Sequence, residues 1–83
     1  MDIEFDPLKD ALNIEKHGVS LRRALDLEDI VAMQDDRFAE QRMRLYGMLD
    51  GLPHCAAATM RGGVVRVISL RRAHAKEYRR HVR

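Results

Sequence analysis

Val64-Val65-Arg66-Val67-Ile68-Ser69-Leu70-Arg71-Arg72-Ala73 is an apolar, largely β-branched run broken by one arginine and closed by two more. A strand covered on both faces reads as nearly continuous Val, Ile and Leu, so the run predicts a central strand of a small sheet. The arginine pair marks where the strand stops and a helix begins. Arg66 needs its own explanation. A guanidinium stays charged and is costly to bury alone, so it requires a fixed acidic partner, an anion to meet, or a half-exposed site with its stem over apolar surface.

Moving back from this run, Gly62-Gly63 signals a two-residue hairpin loop, and the strand from Pro53 to Met60 precedes it. Asp50-Gly51 is a second signal of the same kind, and before it Gln41 to Leu49 alternates, with Met43, Leu45, Gly47 and Leu49 on one side and Arg42, Arg44, Tyr46 and Met48 on the other. Three strands in a meander follow. Two-residue loops then set the register: Leu49 faces Leu52, Arg42 faces Thr59, Arg61 faces Val64 and Thr59 faces Arg66. One face holds Met43, Leu45, Ala56, Ala58, Met60, Val65 and Val67 and is the face to bury. The other holds Arg42, Arg44, Tyr46, Thr59, Arg61 and Arg66. Like charges side by side destabilise a sheet, so this row of arginines points to a task other than stability.

Nearer the N-terminus, Ile3-Glu4-Phe5 alternates as a short edge strand. Asp6-Pro7 marks a helix start, with Asp6 as N-cap and Pro7 at the first helical position, and Gly18 supplies the left-handed stop after His17. Leu8, Ala11 and Leu12 share a face of that helix. Lys16 and His17 lie in its last turn, where positive charge complements the helix dipole. Ser20 caps a second helix with Leu21, Ala24 and Leu25 as its stripe, and Val19 and Ala24 stand at the spacing of a hydrophobic staple. The two helices are expected to lie as a pair across one sheet face. Ile30-Val31-Ala32-Met33 begins a strand and Asp35-Asp36-Arg37 forms a polar turn. The segment from about Ala73 to Val82 has helical propensity but no firm apolar stripe, so it requires docking on the sheet or on a partner. The expected fold is α+β, one domain over residues 1–83, with a small antiparallel sheet, two N-terminal helices on one face and a C-terminal helix.

Eighty-three residues with 5% aromatics and no Trp build a core from Leu, Ile, Val, Met and Ala. One cysteine, Cys55, excludes an internal disulfide and a Cys-based zinc site and suits a reducing compartment. The first twenty residues carry five carboxylates and no long apolar stretch, so neither a signal peptide nor a membrane span is expected and the protein is placed in the cytoplasm. Its net charge of +2 conceals an asymmetry: residues 1–60 hold seven Lys/Arg against twelve Asp/Glu (net −5), and residues 61–83 hold eight against one (net +7). Such a split aims a basic surface at an anionic polymer or an acidic protein.

No glycine-rich phosphate loop, HExxH or paired Cys/His spacing is present, so neither nucleotide hydrolysis nor a bound metal or other cofactor is expected. A multi-arginine face beside histidines and a carboxylate suits phosphodiester chemistry on RNA. There the ribose 2′-OH is an internal nucleophile, and the protein has to align it and stabilise charge on the phosphate oxygens. His17, His54, His81 and Glu77 are the candidate proton carriers. The competing reading is a non-enzymatic module whose basic face binds an acidic protein or a nucleic-acid backbone. Such a face needs neither histidine nor carboxylate beside its arginines.

Phe5-Asp6-Pro7-x-Lys9, Asn13-x-x-Lys16-His17-Gly18-Val19-Ser20, Arg42-Met43 with Gly47, and Arg66-x-Ile68-Ser69-x-Arg71-x-Ala73 followed by Glu77 resemble the BrnT family of bacterial toxins. The resemblance implies a RelE-like fold and a metal-independent ribonuclease that arrests translation by cutting mRNA. It also implies neutralisation by a cognate antitoxin, BrnA, through which alone the complex binds promoter DNA; no membrane is involved. Carried over by position, the catalytic candidates are Arg61 and Arg66 for phosphate and transition-state contacts, Arg71 for a similar role at the strand end, and Glu77 or His17 as proton carrier, with Glu77 alternatively holding Arg71 in place. Lys16, Arg42, Arg44, Arg72 and Lys76 are the RNA-binding candidates. The antitoxin is expected to cover the arginine face with carboxylates. His74 and His81 depart from the family pattern, which favours a hydroxyl residue and a tyrosine at those places, and an inactive homologue that keeps the antitoxin surface is a further alternative.

Overall fold

Two tight turns set the sheet. The computed structural model describes residues 2–37 and 41–82. Asp50 and Gly51 hold φ of 53° and 76°, and Gly62 and Gly63 hold 59° and 81°, so each two-residue loop reverses the chain in step with the twist of its flanking strands. The strands joined are β3 (Arg42–Leu49), β4 (Leu52–Arg61) and β5 (Val64–Arg72). All four expected pairs are present: Leu49 opposite Leu52, Arg42 opposite Thr59, Arg61 opposite Val64 and Thr59 opposite Arg66. β2 (Glu28–Asp35) runs antiparallel to β3, while β1 (Ile3–Glu4) runs parallel to β5. The order β1-β5-β4-β3-β2 makes the sheet mixed rather than wholly antiparallel, with β5 an interior strand between β1 and β4 as expected.

Helix α1 (Pro7–His17) starts and stops as its caps dictate: the Asp6 side chain accepts from the Leu8 N–H, and Gly18 at φ 73° ends it. The expected second α-helix is a 3₁₀ helix, Leu21–Asp26, the short tight form common in connectors. Ser20 caps it, and the Asp10 carboxylate accepts from the Ser20 hydroxyl and the Leu21 N–H, tying it to α1. Leu21, Ala24 and Leu27 cover the sheet face made by Leu45, Leu49, Ala56, Ala58, Val65, Val67 and Leu70. Val19 packs against this core as the staple spacing predicts, but Leu25 does not join it and is exposed, as is Met60.

The expected apolar face of α1 is turned outward. Leu8 and Leu12 are 75% and 63% exposed, and Ala11 is exposed as well. The inward position belongs to Asn13, whose side-chain amide donates to the carbonyls of Val19 (2.9 Å) and Leu70 (2.8 Å) and whose oxygen accepts from the Leu70 N–H (3.1 Å). β1 pairs with β5 at Val65 and Arg66, so further along β5 the outer edge has no neighbouring strand among the described residues. The Asn13 amide stands in for one at Leu70, satisfying backbone groups that burial would otherwise leave unpaired.

Beyond Val67 the pairing shifts. Ala58 faces Val67 but Ala57 faces Ser69, so Ile68 is an extra residue on β5. Strict alternation would turn Arg71 into the core and Leu70 out of it. The bulge reverses both, leaving Leu70 fully buried and Arg71 beside Cys55 and Tyr46 on the opposite face. On that face α2 (Ala75–His81) docks at one end, with Tyr78 and Val82 packed on Tyr46, Cys55 and Ala73. This is the docking that its weak intrinsic helicity requires. Among the described residues no helix is long and apolar enough to cross a membrane.

Candidate active site

Three chain segments converge where β5 ends. The last turn of α1 brings Lys16 and His17, the end of β5 brings Arg71 and Arg72, and α2 with its cap brings His74, Glu77 and Arg80; together they line an open cleft of about 750 Å³. Four cations against one carboxylate give its lining an excess of positive charge. His74 occupies the N-cap position of α2 without making a side-chain cap hydrogen bond. His74, Glu77 and Arg80 lie at helical spacing from one another, which places them on one side of α2.

Glu77 organises the interior of the cleft. Its two oxygens take a bidentate pair from Arg71, Nη1 to Oε1 at 3.0 Å and Nη2 to Oε2 at 2.9 Å, and the Tyr46 hydroxyl donates to Oε2 at 3.0 Å. The Arg71 hydrogen bonds, reinforced by that of Tyr46, hold the Glu77 carboxyl down at about 2 against the opposing effect of its desolvation. A carboxylate that acidic is a poor proton acceptor at neutral pH and a good fixed counter-charge. Tyr46 is fully buried, and its burial pushes the phenol well above its ordinary value. It lies between Tyr78, edge-on at 6.4 Å, and His81, stacked at 5.0 Å, and His81 does not line the cleft.

The Tyr46 hydroxyl also accepts from Arg44 Nη1 at 3.2 Å. Arg44 Nε, buried and without a hydrogen bond among the described residues, lies 4.0 Å from Asp35. Asp35 is held down at about 2, chiefly by the Arg37 guanidinium. A polar network thus crosses the sheet from Asp35 through Arg44 and Tyr46 to Glu77 and Arg71.

The sequence candidates therefore divide. Lys16, His17, Arg71, Arg72 and Glu77 meet in one cleft. Arg42, Thr59 and Arg66 do form the expected row on the sheet face, but Arg66 sits opposite Thr59 and Arg71 opposite Cys55, four residues or roughly 13 Å apart along β4. Arg66 there pairs with Glu4 of β1 at 3.5 Å, the acidic partner its position in a β-branched run calls for. Arg61 is exposed at the hairpin further out, and Lys76 is exposed on α2 without lining the cleft. His54 is buried on β4 opposite Arg72, with Nδ1 2.9 Å from the Leu52 carbonyl, and does not line the cleft. Of the three catalytic arginine candidates, the structure brings only Arg71 into the cleft, and strand length separates it from Arg66 and Arg61. Two cleft residues escaped the sequence reading as site residues, His74 and Arg80; their spacing from Glu77 on one helix was the available signal.

Fold and cleft together define the class: a small α+β protein whose strand end and two helices build a cationic cleft holding a fixed carboxylate and two histidines. A family model for the ribonuclease toxin BrnT of type II toxin–antitoxin systems matches residues 5–77. The crystal structure of the Brucella abortus ribonuclease toxin BrnT is similar at TM-score 0.71 and 26% identity, covering 89% of this chain and 97% of that one. Comparison with curated proteins finds no match. The chain belongs to the BrnT family of ribonuclease toxins of type II toxin–antitoxin systems.

Proposed function

We propose that this chain cleaves RNA in the cleft at the end of β5 by metal-independent transesterification. The carrying observation is that Lys16, His17, Arg71, Arg72, His74 and Arg80 line the same cleft around the ionised Glu77. The His17 imidazole takes the proton from a ribose 2′-OH as that oxygen attacks the adjacent phosphorus. His74 gives a proton to the departing 5′-oxygen, and the products are a 2′,3′-cyclic phosphate and a 5′-hydroxyl end. Arg71, aimed by its fork with Glu77, stabilises the charge that builds on the phosphate oxygens, and Lys16, Arg72 and Arg80 hold the strand. Glu77 serves as a positioning residue. Arg42, Arg44, Arg61, Arg66 and Lys76 lie outside the cleft and are assigned to backbone contacts distant from the scissile phosphate. We read the architecture as RelE-like, the compartment as cytoplasmic and the neutralising partner as a BrnA-like antitoxin.

The test uses purified protein in EDTA, with naked and with ribosome-bound mRNA. Arg71→Ala is expected to lower the cleavage rate roughly 10²–10³-fold and His17→Ala roughly 10²–10⁴-fold, while Arg66→Ala changes it less. A 2′-deoxy nucleotide at the cut position should block cleavage. Folded Arg71→Ala and His17→Ala proteins that cleave at the wild-type rate, or a wild type inert on both substrates, would overturn the reading in favour of a binding module.

A further inference from the structure

We propose that the outward face of α1, with the groove between α1 and β5, is where the antitoxin docks, and that the segment received is acidic and amphipathic. A helix on a globular domain normally turns its apolar stripe inward. Here Asn13 takes the inward position, and Leu8 and Leu12, one turn apart on the same side, are left in solvent at 75% and 63% exposure. Lys9 and Lys16, two turns apart, run alongside them; both are exposed and neither is in an ion pair among the described residues.

The sheet face differs in this respect. Its Arg66 already pairs with Glu4 and its Arg71 with Glu77, so incoming carboxylates compete there with internal ones. On α1, Lys9 and Lys16 have no such internal partner among the described residues. The adjoining groove, about 270 Å³, is lined by Lys9, Leu12, Lys16, His17, Ile68 and Ser69. Ile68, displaced by the β5 bulge, gives it an apolar wall. Apolar side chains flanked by unpaired lysines match a peptide carrying apolar residues and carboxylates on one side. A phosphodiester strand would use the lysines and gain nothing from the leucines.

Lys16 and His17 line both this groove and the catalytic cleft. A segment seated along α1 therefore ends against the imidazole assigned to proton transfer, and neutralisation follows from occupying one side of the cleft. The proposal rests on the ribonuclease reading only for the inhibition readout; binding is measured separately.

The toxin and its cognate antitoxin are purified from co-expression, separated, and titrated by calorimetry and by inhibition of RNA cleavage. The double variant Leu8→Glu/Leu12→Glu alters exposed positions with a good helix former. It is expected to cleave RNA as the wild type does but to bind antitoxin roughly 100-fold more weakly, and Lys9→Glu roughly 10-fold more weakly. Ile30→Glu, exposed on β2, should change neither. Unchanged antitoxin affinity in the double variant overturns the proposal. So does loss of cleavage in a double variant of unchanged circular dichroism, which would assign the face to RNA. A wild type that binds antitoxin through this face without cleaving RNA would uphold the docking surface and refute the catalytic reading alone.

Discussion

In the proposed reaction Glu77 is removed from acid–base duty and given a positioning task. Its fork with Arg71 and the Tyr46 hydroxyl bond hold it ionised far below neutral pH, and they fix the guanidinium in the cleft. A carboxyl whose folded pKa is depressed stabilises the fold above its unfolded value, near 4.5, and loses that contribution as pH falls toward about 2. Acid unfolding followed by circular dichroism should show this loss in the wild type. In Glu77→Gln the corresponding part of the stability curve should flatten, with a difference on the order of 2 kcal/mol between pH 6 and pH 2. Asp35 is depressed to a similar value and titrates in the same window in both proteins, so the difference between the two curves isolates Glu77. Parallel curves would show that the fork contributes nothing to stability.

At the level of elements, the β5 bulge and Asn13 act on the same stretch. The bulge exchanges the faces of Leu70 and Arg71, and Asn13 then clamps the backbone of Leu70 with both ends of its amide. The clamp also fixes the last turns of α1, and with them Lys16 and His17, against the strand that carries Arg71. Asn13→Leu leaves the buried N–H and C=O of Leu70 without partners on that side and should cost about 3 kcal/mol in urea unfolding. Cleavage should fall by more than the unfolded fraction explains, because the two sides of the cleft lose their common reference. A loss below about 0.5 kcal/mol would mean that water replaces the amide without penalty.

For the whole molecule, the charge asymmetry of the sequence becomes a spatial one in part. The +7 of residues 61–83 supplies Arg71, Arg72 and Arg80 to the cleft, and α1, from the acidic part of the chain, adds Lys16 and His17. Glu4 offsets Arg66 on the sheet and Glu77 offsets Arg71 in the cleft, and among the described residues Lys16, Arg72 and Arg80 line the cleft without an ion pair of their own. With about three uncompensated cations meeting phosphates, the logarithm of RNA affinity should fall with the logarithm of salt at a slope of roughly −2, and Arg72→Ala should reduce that slope by about 0.7. Filter binding between 50 mM and 300 mM salt checks both values. A slope unchanged in Arg72→Ala would place the strand elsewhere.

Local chemistry by itself determined the meander, its register beside the two turns and the ends of α1. Asp50-Gly51 and Gly62-Gly63 demand positive φ, and Asp6-Pro7 and Gly18 cap a helix whatever surrounds them. The family blocks likewise named four of the residues that line the cleft, Lys16, His17, Arg71 and Glu77. Tertiary structure alone decided the rest. Whether Ile68 bulges depends on how β4 and the core select Leu70 over Ser69 for burial, and no pattern within β5 encodes that choice. The direction in which α1 faces was likewise beyond the sequence, because its leucines suggested a core stripe and only the unpaired edge of β5 shows why a buried asparagine is worth more there. Side-chain periodicity reports which residues share a face of one element; it is the competition among elements for the same core that settles which face is turned in.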